Sequence, residues 1–132
     1  VDRMLFVNLP VADLEASRRF YTGLGFGVNE MFSDDRCACV VVSDAIFVML
    51  LDRDRFADFT DRPTADPTAS TGVVNCLSAD SRDEVDALVA SAEAHGGRSG
   101  RTFADGPMYG RSFDDPDGHV WEVLHMELAG VP

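Results

Sequence analysis

The stretch "LFVNLPVADLEASRRFYTGLGFG", residues 5–27, changes its periodicity once, and that change decides the fold. Leu5, Val7 and Leu9 alternate with Phe6 and Asn8, the period-two pattern of a strand with two distinct faces. Asp13 is placed to cap a following helix. Leu14, Ser17, Phe20, Tyr21 and Leu24 then recur at helical spacing, and Gly23 and Gly25 end the run.

Outward from this strand and helix, three strand candidates follow: "GVNEMF" (27–32), "CACVVV" (37–42) and "AIFVMLL" (45–51). Asp34, Asp35, Ser43 and Asp44 supply the turns between them. After residue 71 the same order returns. "VVNCLSA" (73–79) reads as a strand, and "SRDE" (81–84) as a capping box, with Glu84 three residues beyond Ser81. Val85, Leu88, Val89 and Ala92 form a helical stripe, closed by Gly96. "RSGRTF" (98–103), "MYGRSF" (108–113) and "HVWEVLHM" (119–126) complete the second set, with "PDG" (116–118) turning the last two into a hairpin. The order predicts an α+β fold of two βαβββ modules, residues 1–52 and 72–132, within one domain. Residues 53–71 join them; Pro63 and Pro67 interrupt this connection, and "DRFADF" (54–59) suits a helical turn. A structureless link of that length is uncommon, so partial order is expected.

Composition narrows the function. A chain of 132 residues, 45% hydrophobic and 26% charged, can bury a real core. A formal net charge of −12 argues against nucleic acid, whose phosphates require clustered Lys and Arg. It favours a cationic partner, or serves solubility alone. No apolar run reaches the ~20 residues of a membrane span, and no secretory leader pattern opens the sequence, so the expected location is the cytoplasm. Cys37, Cys39 and Cys76 are odd in number, and Cys37 and Cys39 share a strand face without CxxC spacing. Packed free thiols in a reducing compartment are expected; no His lies near any of them in sequence to make a nucleophile.

Two segments, "LPVADLEASRRFYTGLGF" (9–26) and "GRSFDDPDGHVWEV" (110–123), together with the helix "SRDEVDALVASAEAHGG" (81–97), resemble the vicinal oxygen chelate superfamily. This superfamily includes glyoxalases, extradiol dioxygenases, fosfomycin-resistance enzymes and bleomycin-resistance proteins. The resemblance implies paired βαβββ modules whose curved mixed sheets surround a cavity. In metal-dependent members, four ligands come from the first and last strands of the modules. Carried across, those positions fall on Phe6, Met49, Val74 and Glu122, of which only Glu122 can serve a divalent ion of that kind. Phe6 and Val74 have no donor atom, and the Met49 thioether is a soft ligand. The resemblance with these departures implies no cofactor, and a divalent metal is disfavoured.

"DPDGHVWEVLH" (115–125) places Glu122 between two histidines, yet the cluster is not a metal site. His119, Trp121, Val123 and His125 share one strand face, and Val120, Glu122 and Leu124 share the other. His119 and His125 lie about 20 Å apart along an extended strand, too far to share an ion. Glu122 on an apolar face is costly unless paired or functional. It can face a ligand, form an internal salt bridge with Arg111, or remain from lost metal chemistry. By parity Phe6, Asn8, Phe47, Met49, Val74 and Cys76 should share its side, and Leu51 and Ser78 with them. This mostly apolar wall suits either a small-molecule site or a filled core. Tyr109 and Arg111 can bring a hydroxyl and a cation to the mouth, or lie on the solvent face.

Three functions follow. One is a metal-independent protein that binds a small molecule, cationic or aromatic, in the cavity of the paired modules, as in the bleomycin-resistance branch. Another is a glyoxalase- or dioxygenase-type enzyme, a lyase or isomerase with Glu122 as ligand or base. The third is a structural or regulatory dimer with a filled interior. Each half exposes a curved sheet that must be covered, so a homodimer is expected.

Overall fold

In a computed structural model, residues 1–127 are described, and the chain divides into two compact units at Ser70/Thr71. The first is built on β1 (Leu5–Val11), α1 (Leu14–Gly23), β2 (Gly27–Asn29), β3 (Cys37–Val41) and β4 (Ile46–Asp52), with a short α2 (Arg53–Ala57). The second contains β5 (Val74–Ser78), α3 (Arg82–Ala94), β6 (Arg98–Asp105), β7 (Met108–Asp114) and β8 (Val120–Met126). The predicted α+β order of two βαβββ modules is the observed one. Each module forms a four-stranded mixed sheet, ordered β1-β4-β3-β2 and β5-β8-β7-β6, and neither sheet closes into a barrel. The first and last strands of each module pair in parallel, the rest antiparallel.

The alternation along each strand divides each sheet into a helix-covered face and an opposite face. In the first sheet Ala38, Val40, Val48 and Leu50 are wholly buried on the covered face, and α1 contributes Ser17, Phe20 and Tyr21 to the core. Phe20 and Tyr21 meet edge to face at 4.9 Å. Asp13 caps α1 by accepting from Ala16 N at 3.1 Å, and Gly25 leaves the helix at φ +101°, a left-handed conformation that favours glycine. In the second sheet Phe113, Trp121 and Val123 are buried, as are Val85, Val89 and Ala92 of α3. The Ser81 hydroxyl accepts from Glu84 N, while the Glu84 carboxylate accepts from Asp80 N, one residue earlier than a standard capping box.

Two local expectations need correction, and a third, partial order in the connection between modules, holds. The strand expected over 27–32 stops at Asn29, whose side chain accepts from Met31 N at 3.0 Å and starts a single 3-10 turn, Glu30–Phe32. The strand expected to end at 103 continues to Asp105 and turns through Gly106. It carries an irregularity between Ser99 and Thr102, where the Ser112 hydroxyl accepts from Arg101 N at 2.7 Å. A side chain at Gly100 would lie 2.4 Å from that hydroxyl, so the bend requires glycine. The connection over 53–71 is partly ordered by α2, which Asp52 caps through Arg55 N.

Candidate functional site

The helix-free face of each sheet carries its own hollow. In the first module, alternation turns Phe6 and Asn8 of β1 and Phe47 and Met49 of β4 to one side. Cys39 of β3 and Asn29 at the end of β2 line the same hollow, of about 460 Å³. Met4, Phe32 and Phe59 complete its wall. Phe6 and Phe47 stack with centroids 4.9 Å apart and planes 13° from parallel. Among the described residues no carboxylate, ammonium or guanidinium lines this hollow; its side-chain polar atoms and sulfurs are two carboxamides, one thiol and two thioethers.

In the second module, Glu122 lines a hollow of about 330 Å³ with Val74, Val120, Phe103, Ser112 and Arg101. Ser112 faces Glu122 across the β7–β8 ladder. Glu122 is half-buried and makes no hydrogen bond or ion pair, Arg101 included, among the described residues. Phe103 is held by its ladder partner Gly110, where an added side chain would stand 2.2 Å from the ring.

Thus Phe6, Asn8, Phe47 and Met49 come together in one hollow, and Val74 and Glu122 in the other. Cys76 is Glu122's parallel partner, as parity predicts, but is exposed and not part of the wall; Ser78 lies opposite Leu124. Leu51 is buried at the far end of its strand, outside the hollow.

Tyr109 and Arg111 do not belong to this site. The β7–β8 register pairs Arg111 with Val123 and Tyr109 with His125, which puts both on the helix-covered face, opposite Glu122. There the Tyr109 hydroxyl donates to Asp86 at 2.5 Å and Arg111 Nη1 donates to the same oxygen at 3.1 Å. Arg82 lies over the Tyr109 ring at 5.1 Å. The expected alternative of a Glu122–Arg111 salt bridge is therefore excluded: Arg111 is engaged with Asp86 on the other side of the sheet. The histidines are also placed structurally. His125 is tucked in with Nδ1 3.0 Å from the Ala79 carbonyl, and His95 holds the Ser91 carbonyl at the end of α3.

The thiols are not set up as nucleophiles. Burial pushes Cys39 up in pKa; burial and then the Asp34 hydrogen bond do so for Cys37; partial desolvation and then the Glu122 charge do so for Cys76. Three of the four positions at which the resemblance places metal ligands fail on donor chemistry, and the fourth, Glu122, stands alone as a donor. Phe6 is committed to a ring stack, Val74 is apolar, Met49 is a thioether, and Glu122 shares its hollow with one hydroxyl and a guanidinium. Among the described residues no three His, Cys, Asp or Glu side chains cluster as an ion site.

Asn29, Arg101, Phe103 and Ser112 are not marked by the sequence as site residues, and Cys39 is marked only as a packed thiol. Asn29 did carry a signal, since Asn is a turn-forming residue inside an expected strand. Cys39 was seen, but its side of the sheet depends on cross-strand pairing. Arg101 and Phe103 are placed by the irregularity in β6, which has no sequence marker apart from Gly100.

The family model of the Glyoxalase/Bleomycin resistance protein/Dioxygenase superfamily matches residues 3–123. Among solved structures, a hypothetical protein from S. aureus is 28% identical with a TM-score of 0.78, covering 95% of this chain and 94% of that one. Lactoylglutathione lyase from Agrobacterium tumefaciens is 21% identical, with a TM-score of 0.71 and 98% coverage of both chains. A bleomycin resistance determinant encoded on the transposon Tn5 is also 21% identical, with a TM-score of 0.65 and coverage of 95% and 98%. The last two likenesses show a shared fold. No functionally curated protein matches.

Proposed function

The chain belongs to the glyoxalase/bleomycin resistance protein/dioxygenase superfamily, and from that premise we propose that it binds a small, largely apolar molecule without a transition metal. One observation carries the reading: the first module's hollow of about 460 Å³ is walled by stacked Phe6 and Phe47 and holds only uncharged polar atoms. Such a combination, an apolar wall with few polar handles, is the usual character of a small-molecule site. The unsuitable donors at Phe6, Met49 and Val74 support a metal-independent mode. Free cysteines throughout suit a reducing cytoplasm.

The test is a thermal-shift series with 2-naphthol, an aromatic alcohol small enough for the hollow. The parent protein should melt higher in its presence, and Phe47→Ala should lose most of that shift while remaining folded. Equal shifts in parent and variant would place binding elsewhere and reject this reading of the hollow.

A second reading, a metal-free lyase or isomerase, is favoured by a different observation. Glu122 is half-buried beside Ser112, and among the described residues no hydrogen bond or ion pair holds its carboxylate, which leaves it available as a general base. Its substrate would have to present an acidic C–H within hydrogen-bond reach of that carboxylate. Loss of turnover in Glu122→Gln with unchanged melting would favour it over simple binding.

A further inference from the structure

Four residues on the open face of the first sheet fall on one line across all its strands. Asn29 of β2 lies opposite Cys39 of β3, Cys39 opposite Met49 of β4, and Met49 beside Asn8 of β1. All four line the hollow. Read across the sheet, the line is carboxamide, thiol, thioether, carboxamide. Three strand spacings put the ends roughly 14 Å apart at the backbone. The adjacent line brings Phe6 and Phe47 alongside, stacked on each other at the β1 end.

The hydrogen-bonding capacity of the two ends is distinct. Asn8 spends one N–H on its own strand, donating to the Phe6 carbonyl at 3.2 Å, which leaves its oxygen and a second N–H. Asn29 spends its oxygen on Met31 N, which fixes the amide's orientation and leaves both N–H groups. Between them are two sulfurs, soft and polarizable, which pack well against aromatic rings. Nothing in the lining among the described residues offers a counter-charge, so an ionic ligand group would be desolvated without compensation.

On the reading above that this hollow takes a small molecule, the geometry points to an uncharged, flat, fused-ring aromatic ligand lying across the strands, with a hydrogen-bonding group at each end. Subtracting a hydrogen bond at each carboxamide from the span leaves about 8 Å between the ligand's own polar atoms. Two fused six-membered rings with substituents at opposite ends have that length. The rings lie over Met49, with the buried Cys39 beneath, one end is held by the Asn8 oxygen, and the other accepts from Asn29. The cationic ligand suggested by the overall charge finds no carboxylate here.

The test compares 2,6-dihydroxynaphthalene, 2-naphthol and the cation 2-naphthylmethylammonium by calorimetric titration of the parent, Asn8→Leu, Asn29→Ser and Phe47→Ala proteins. Asn29→Ser keeps an oxygen near Met31 N while withdrawing the carboxamide, and melting curves confirm that each variant is folded. The diol should bind the parent about fivefold more tightly than 2-naphthol, the effect of one added neutral hydrogen bond. Asn8→Leu and Asn29→Ser should each bring the diol down to the 2-naphthol level. A diol no tighter than 2-naphthol, or an advantage that survives both variants, overturns the two-ended ligand but leaves the hollow as a binding site if Phe47→Ala abolishes both. Tighter binding of the cation overturns the uncharged ligand. No binding of any of the three by folded parent protein overturns the binding reading itself, and this inference with it.

Discussion

Replacing Glu122 with glutamine removes a charge from the second module's hollow without altering its shape. A salt bridge to Arg111, one of the roles expected from sequence, would make this substitution cost about 3–5 kcal/mol by stranding a buried guanidinium. The structure removes that mechanism, because Arg111 donates to Asp86 on the opposite face and keeps its partner in the variant. The expected outcome is an unfolding free energy within about 1 kcal/mol of the parent, measured by denaturant or thermal unfolding. A loss of several kcal/mol would mean that Glu122 has a structural partner after all. The identity of Glu122 as the odd residue on an apolar face was legible from period-two alternation alone. Its neighbours were not. Parity along β7 cannot say whether Ser112 or Arg111 stands opposite Glu122 until the turn over Asp115–His119 sets the register, and it pairs Ser112 there. The Asp115 carboxylate, accepting from Asp117 N and His119 N, builds that turn.

Between elements, Asp86 ties α3 to β7 by taking both the Tyr109 hydroxyl and Arg111. The Tyr109 hydrogen bond, then that of Arg111, holds the Asp86 carboxyl below the ordinary value of 3.8. The same bond to Asp86 pushes the Tyr109 phenol above 10.0. The signs are opposite in pH. The depressed carboxyl contributes stability above pH 3.8, lost as pH falls through its lower folded value. The raised phenol contributes stability that is complete below pH 10.0 and lost as pH rises through its higher folded value. Absorbance titration is simple with two tyrosines in the chain, Tyr21 being buried. Asp86→Asn should move the Tyr109 transition down toward the ordinary value; an unchanged titration would contradict the tie. The elements themselves were largely legible, since each strand and helix has a clear periodicity and Asp13 and Ser81 mark the helix starts. The failures came where a side chain overrode the pattern. Asn29 ended a strand by capping a 3-10 turn, and Gly100 let Ser112 bend β6.

At the scale of the whole molecule, the repeated strand–helix–three-strand order was visible, and with it the family; the ligand was not. A ligand is recognised by side chains brought together from strands distant in sequence, such as Asn8, Asn29, Cys39 and Met49, and only strand order aligns them. No helix among the described residues is long and apolar enough to cross a membrane. Large apolar side chains nevertheless stay exposed, with Met31 at 89% and Phe32 at 64% in the first unit and Val73 at 69% in the second. Each module also leaves one face of its sheet without a helix of its own, and we propose a homodimer in which such faces are covered. Sedimentation equilibrium should then give about twice the 14.4 kDa chain mass; a monomer at concentrations well above micromolar would contradict it. Binding of a small molecule without a metal can be measured in one calorimetric titration. Protein exhaustively treated with chelator and dialysed is titrated with 2-naphthol at several temperatures, beside untreated protein. The same affinity is expected in both, with one site per chain and a negative heat-capacity change from burial of apolar surface. Binding that disappears on chelation and returns with added iron, nickel or zinc would contradict it.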